Sequence, residues 1–247
     1  MKVLTGWPVP LFMALVFAAL ISTSDASLAG TLAATVGLVL VLLFWAMFRE
    51  ASLHAEVSRA LAVGDGAAAA ALADRQLARR RGPRRAPFEV YRALAHELRG
   101  EWSAIESLLG GEPASAAKFA GGQASWRLVA ACVRVGALAE LGEVAAARAL
   151  YDEVVAPRRE ALGERGSLPA VLTEGRLCFA EGELVRAREI LTPLTRSIRL
   201  GPAQRAMAFH YLARCAERGA DAAETERLVA QAAALAPSSW FASLPDA

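Results

Sequence analysis

The sequence predicts an all-α protein: an N-terminal transmembrane helical hairpin followed by an α-solenoid of about five helix-turn-helix units. Three observations predict it. Two stretches without a charged residue, at 3–24 and 28–48, are interrupted only by a short connector containing Asp25. Beyond Arg49 the chain becomes rich in Ala, Arg and Glu, and a glycine followed by an acidic residue recurs. It stands at Gly64-Asp65, Gly100-Glu101, Gly142-Glu143 and Gly182-Glu183, with a looser copy at Gly219-Ala220-Asp221. Finally, no strand-period alternation of apolar and polar residues appears along the chain.

A spanning helix needs about 20 apolar residues to cross about 30 Å of hydrocarbon. Residues 28–48, LAGTLAATVGLVLVLLFWAMF, meet that need unaided. The first segment, expected at about 7–24, is interrupted at its start by Pro8 and Pro10, and its continuous apolar run is 11–21. A secretory signal peptide is the second reading of that segment, with Met1 and Lys2 before an apolar core and a small-x-small site at Ser24-Asp25-Ala26. Both readings place the C-terminal part in the cytoplasm. The connector 22–27 carries no Lys or Arg, whereas Arg49, Arg59 and a later arginine cluster follow the second span. Positive charge comes almost entirely from Arg, with Lys2 and Lys118 the only lysines, a bias that points to a GC-rich bacterial genome. The expected location is therefore a bacterial inner membrane, with a two-pass anchor at 1–48 and a cytoplasmic domain at 49–247. Ala29, Ala33 and Gly37, with Gly30 and Ala34 beside them, form a ladder of small residues that lets a second helix approach closely. Homo-oligomerisation through this ladder or the repeats stays open.

The intervals between the turn glycines are 36, 42, 40 and 37 residues, within the range of helix-hairpin repeats. Gly64, Gly100, Gly142, Gly182 and Gly219 are each expected to end a helix in a left-handed turn, and the acidic residue to favour the start of the next. Four residues past the acidic position stand Ala69, Ile105, Ala147 and Ala187, and four further on Ala73, Leu109, Tyr151 and Leu191. That spacing puts them on one helical face. The irregular stretches 110–125 and 161–169 read as loops between hairpins.

The repeat LTEGRLCFAEGELVRAREILTPL, with Gly175, Gly182-Glu183, Ala187 and Leu191, resembles the tetratricopeptide repeat (TPR) family. The last copy, with Leu212-Ala213, Asp221, Val229, Ala232 and Pro237, is similar to it with one residue inserted at the turn. The resemblance covers about 53–237 and implies a TPR-like domain that presents a concave groove to a protein partner.

No phosphate-binding loop and no His-Glu-x-x-His motif exists, and His54, His96 and His210 are scattered. Cys132, Cys178 and Cys215 have neither disulfide nor metal-ligand spacing; Cys178 and Cys215 read as packing residues four before their turn glycines. The apolar stretches hold no ionisable group within them, which argues against an ion pathway. A net charge of +2 gives no ground for a nucleic-acid partner. The expectation is a non-enzyme with no catalytic residue, cofactor or metal.

One cluster stands out. Arg79, Arg80, Arg81, Arg84 and Arg85 lie within seven residues. If the second span continues as helix to Val63 and the next helix returns, the cluster comes near the headgroups, where anionic lipid attracts arginine. A solvated helix end is the other reading. The leading functional expectation is a membrane-anchored adaptor whose groove is lined mainly by first helices, such as 126–137 and 171–179. Two N-terminal spans before such repeats also look like the HemY-type membrane proteins associated with haem biosynthesis, a likeness of architecture alone. A self-assembling structural membrane protein is a further alternative. The C-terminal PSSWFASLPDA, with Trp240 and Phe241, is expected to cap the last repeat or dock a partner.

Overall fold

Helix α1 runs unbroken from Leu28 to Ala62, because nothing between those residues breaks a helix and the apolar run passes directly into the Ala- and Glu-containing segment. The computed structural model describes residues 28–110, 124–159 and 168–244. The expected first span at 7–24 and most of the two expected loops, 111–123 and 161–167, lie outside these, while 124–125 and 168–169, expected as loop, begin helices.

The other helices are α2 (Gly66–Arg79), α3 (Ala86–Arg99), α4 (Trp102–Leu109), α5 (Ala124–Glu140) and α6 (Val144–Leu150). They are followed by α7 (Leu168–Ala180), α8 (Leu184–Thr195), α9 (Pro202–Arg218) and α10 (Ala222–Leu235). Short 3-10 turns occupy Gly82–Arg85 and Trp240–Ala242, and a π-helical turn, Tyr151–Val155, continues α6. No strand occurs among the described residues, so the chain is all-α.

The chain divides into two units between Glu56 and Val57. The first holds the apolar part of α1, the one helix among those described that is long and apolar enough to cross a membrane. Its large apolar side chains are exposed: Leu40 by 60%, Phe44 by 72% and Met47 by 71%. A soluble protein seldom leaves such a contiguous apolar surface in water.

The second unit is built around a turn that recurs five times. Gly64, Gly100, Gly142 and Gly182 have φ between +71° and +83°. At each, the glycine N–H bonds the carbonyl three residues back and the acidic residue's N–H bonds the carbonyl five back, as in Asp65 to Ala60 (3.0 Å) and Glu183 to Cys178 (2.9 Å). This double closure satisfies carbonyls that the helix end leaves open. The fifth turn has the same bonds one residue later: Ala220 N–H bonds Glu217, and Asp221 N–H bonds Ala216. Ala220 (φ +57°) therefore takes the left-handed place expected of Gly219, whose φ is −85°. The extra residue shifts the register, so Ala216, not Cys215, matches Cys178.

The acidic residues divide by length. Asp65 and Asp221 cap their helices, accepting from Ala68 N–H (2.9 Å) and Glu224 N–H (3.1 Å). Glu101, Glu143 and Glu183 occupy the same position without a side-chain cap. One added methylene carries the carboxylate past the amide, and Glu101 instead holds His96 and Arg99, both at 2.6 Å.

The positions four and eight beyond each of the first four acidic residues are buried: Ala69, Ile105, Ala147 and Ala187, then Ala73, Leu109, Tyr151 and Leu191. In α10 the position four on is Thr225, whose hydroxyl bonds Asp221 O, and burial passes to Leu228 and Ala232. Gly175 is small because Leu191 fills its place, with Cδ2 2.6 Å from where a Cβ would stand.

The C-terminal segment returns to the beginning of this unit. Ala236 lies against Gly64 and Trp240 against Gly100, so close that a Cβ on either glycine would stand 2.7 and 2.6 Å from them. Trp240 also meets the edge of Trp102, with ring centroids 5.1 Å apart. Phe241 is completely buried. The segment thus packs on both the second and the last helix pairs.

Candidate functional site

The first helices of the pairs face one another through charge. Arg176 on α7 is 3% exposed and Glu97 on α3 is 4% exposed, yet Arg176 Nη1 donates to Glu97 Oε1 at 2.5 Å. Arg176 Nε donates to the Tyr211 hydroxyl (3.1 Å), which donates to Glu140 Oε1 (2.6 Å). Arg214 Nη1 donates to the same Glu140 oxygen at 2.6 Å. The network ties α3 to α7 and α5 to α9, each time passing over an intervening first helix.

Aromatic rings enclose these charges. The Arg176 guanidinium lies over Tyr211 and Trp102, and that of Arg214 over Phe179, Tyr211 and Trp240. Burial works against the Arg176 charge, but the oxygens of Tyr211 and Glu97 overcome it and raise its pKa. Burial likewise pushes the Tyr211 phenol up. Gly136 in α5 has a specific role here, since a Cβ would collide with the Arg176 guanidinium.

His210 sits beside this network, fully buried against Trp240, with ring centroids 4.4 Å apart. Neither ring nitrogen has a hydrogen-bond partner in good geometry among the described residues. Burial, and then the Arg214 charge, push its pKa down to about 3, although the backbone of Phe241 and Ser243 favours the proton. Arg176 Nη2 is also buried without a partner among the described residues.

The expected groove lining is therefore not open. Residues 172–179 of α7 are all buried, as are most of 126–137 in α5. The expectation of a partner groove on first helices meets a face already filled by Arg176, Tyr211, Arg214 and the C-terminal aromatics.

An open cleft of about 440 Å³ lies elsewhere, between α8 and the α9–α10 pair. Phe209, Leu212 and Leu228 give it an apolar floor, and Arg188, Arg196 and Arg227 line it with positive charge. Arg227 holds Glu224, the one acidic lining residue, through two bonds of 2.7 Å. Gln231 also lines the cleft, and its Oε1 is buried without a hydrogen-bond partner among the described residues. Neither this cleft nor the buried network was read from the sequence. Gly136, a glycine inside a strong helical pattern, was the one local signal of the network.

Of the expected arginine cluster, Arg79, Arg81, Arg84 and Arg85 are exposed at the end of α2 and in the 3-10 turn that follows. Arg80 is drawn aside, with its guanidinium 4.5 Å over the Phe88 ring. Cys132, Cys178 and Cys215 are free and buried. Burial pushes the Cys132 thiol up to about 11 and raises the other two, so none is poised as a nucleophile. One group among the described residues, Cys178, Glu181 and Glu183, brings possible metal donors within 4.8 Å of one another. Its acids are engaged, Glu181 by Arg148 and Glu183 by Arg186.

No protein-family model, curated protein or solved structure matches this chain.

Proposed function

We propose that the chain is a membrane-anchored, TPR-like adaptor that holds a protein partner at the cytoplasmic face of a bacterial inner membrane. The observation that carries this reading is the cleft between α8 and α9–α10. Its apolar floor and arginine lining suit a segment of a partner protein that presents an aliphatic or aromatic side chain flanked by carboxylates. Arginine binds carboxylates through paired hydrogen bonds, and the unpartnered Gln231 Oε1 accepts a peptide N–H. The recurrent turns at helix-hairpin spacing support a repeat scaffold, and the exposed apolar length of α1 supports the anchor. The reading moves the partner surface from the first helices to the outer side of the last pairs.

The test is affinity purification of the full-length chain from native membranes, beside the Arg188→Glu, Arg196→Glu double variant. Both side chains are exposed, so the variant keeps its fold. An acidic partner recovered with the parent and lost from the variant is the expected result. A partner retained equally by both sinks the cleft as its docking site.

A further inference from the structure

We propose that the arginine-rich turn between α2 and α3 is a docking surface for anionic phospholipid headgroups. From Arg75 to Arg85 the chain places six arginines and no acidic residue, with Asp74 and Glu89 flanking. Asp74 is engaged by Arg92 at 3.2 Å, and Glu89 by Arg85 at 3.4 Å. Arg79, Arg81 and Arg84 meet no carboxylate among the described residues, and all three are exposed. Gly82, at φ +61°, turns the chain sharply between Arg81 and Arg84, and a 3-10 turn presents Arg84 and Arg85 in succession. The result is a short, bent segment of dense positive charge in which Arg79, Arg81 and Arg84 meet no carboxylate among the described residues.

Two features select lipid as the partner. The segment begins 30 residues along the chain from Arg49, where the apolar stretch ends, so covalent tethering keeps a headgroup layer among the anionic surfaces it meets. At the end of that helix's apolar stretch Arg49 already lies 5.5 Å over the Trp45 ring, a pairing of cation and indole suited to the interface. Arginine also matches phosphate geometrically, with paired donors where lysine offers a point charge. Zwitterionic headgroups lack the net negative charge that such a cluster requires.

The inference rests on the membrane reading of α1, and one experiment separates the two. The full chain is reconstituted into lipid nanodiscs with or without phosphatidylglycerol, carrying a donor dye at Ala78→Cys and an acceptor in the headgroup layer. Ala78 is exposed beside the cluster, and the native cysteines are buried from the label. Energy transfer should rise in anionic discs and fall back at high salt. Neutralising Arg79, Arg81, Arg84 and Arg85 to Gln should lower the docked-to-free ratio roughly tenfold or more. Replacing the four by Lys should retain most of it, which shows that loss in the Gln variant comes from charge and not misfolding. Equal transfer in neutral and anionic discs, or unchanged transfer in the Gln variant, overturns the proposal while leaving the anchor standing. Failure of the chain to insert overturns both. Capture of RNA by the cluster without lipid dependence assigns it to nucleic acid and overturns it as well.

Discussion

At the scale of single residues, the five turns form an internal series that shares a left-handed residue and differs in crowding. Gly142 and Gly182 have positive φ with nothing within 4 Å of an added Cβ, whereas Gly64 and Gly100 have positive φ and a neighbour within 2.7 Å. Alanine at Gly142 or Gly182 should cost about 1–2 kcal/mol from backbone strain alone. At Gly64 or Gly100 the cost should be larger, because Ala236 or Trp240 must move. The reverse change is available at Ala220, where glycine should stabilise by about 1 kcal/mol by relieving a left-handed alanine. Denaturation midpoints of the full chain in detergent rank the five variants. His210 gives a second residue-scale prediction. Its folded pKa is lowered to about 3 from the ordinary 6.5, so between those values the unfolded chain takes up a proton that the folded chain refuses. The stability that the neutral ring provides is complete above pH 6.5 and is lost as pH falls toward 3, at up to about 1.4 kcal/mol per pH unit. His210→Phe keeps a ring in the aromatic setting and should remove that part of the acid slope in denaturation measured across pH 7 to 4.

Elements are held by contacts of two ranges, and the C-terminal segment shows the difference. A simple end cap would pack only on α9 and α10. Here Trp240 reaches Trp102 at the start of α4 and Gly100 at the end of α3. Phe241→Ala should cost about 3–5 kcal/mol, as expected for a fully buried aromatic ring. Trp240→Ala should speed amide hydrogen exchange around Gly100 as well as in α9; exchange that changes in α9 alone would reduce the segment to a local cap. This also explains what the sequence could reveal. The turns were legible because their signature lies in adjacent residues, and the buried face of Ala69, Ala73, Ala187 and Leu191 because helical spacing is local. The inserted residue at the fifth turn was visible too, but not that Ala220 would take the strained place. The filled inner face was not legible, because Arg176 and Glu97 are 79 residues apart and Arg214 and Glu140 are 74 apart. Nothing local distinguishes a charge on a helix's solvent face from one that meets a partner two hairpins away. The Arg188–Arg196–Arg227 lining was missed for the same reason, since α8 and α10 combine to form it.

At the scale of the whole second unit, those distant pairs alter how it should unfold. In a linear array of helical hairpins each unit touches only its neighbours, so stability is nearly a sum of adjacent terms and the ends can unfold separately. The Glu97–Arg176 and Glu140–Arg214 pairs add links that skip one hairpin, and Trp240 adds one from the last pair to the second. Removing one partner of a buried pair leaves the other charge uncompensated, so Arg176→Met should cost about 3–5 kcal/mol. Pairing it with Glu97→Gln should recover part of that loss, because no buried charge is then left alone. The parent chain should show one cooperative unfolding transition in which all helices of the second unit exchange together. With Glu97→Gln and Glu140→Gln combined, both skipping links weaken at once and the transition should separate, with α2–α4 opening before α7–α10. Hydrogen exchange followed by mass spectrometry across a denaturant series resolves the two cases. A single transition persisting in the double variant would place cooperativity in the neighbouring-hairpin contacts, such as Arg134–Glu106 and Arg148–Glu181, and not in the charges that cross the inner face.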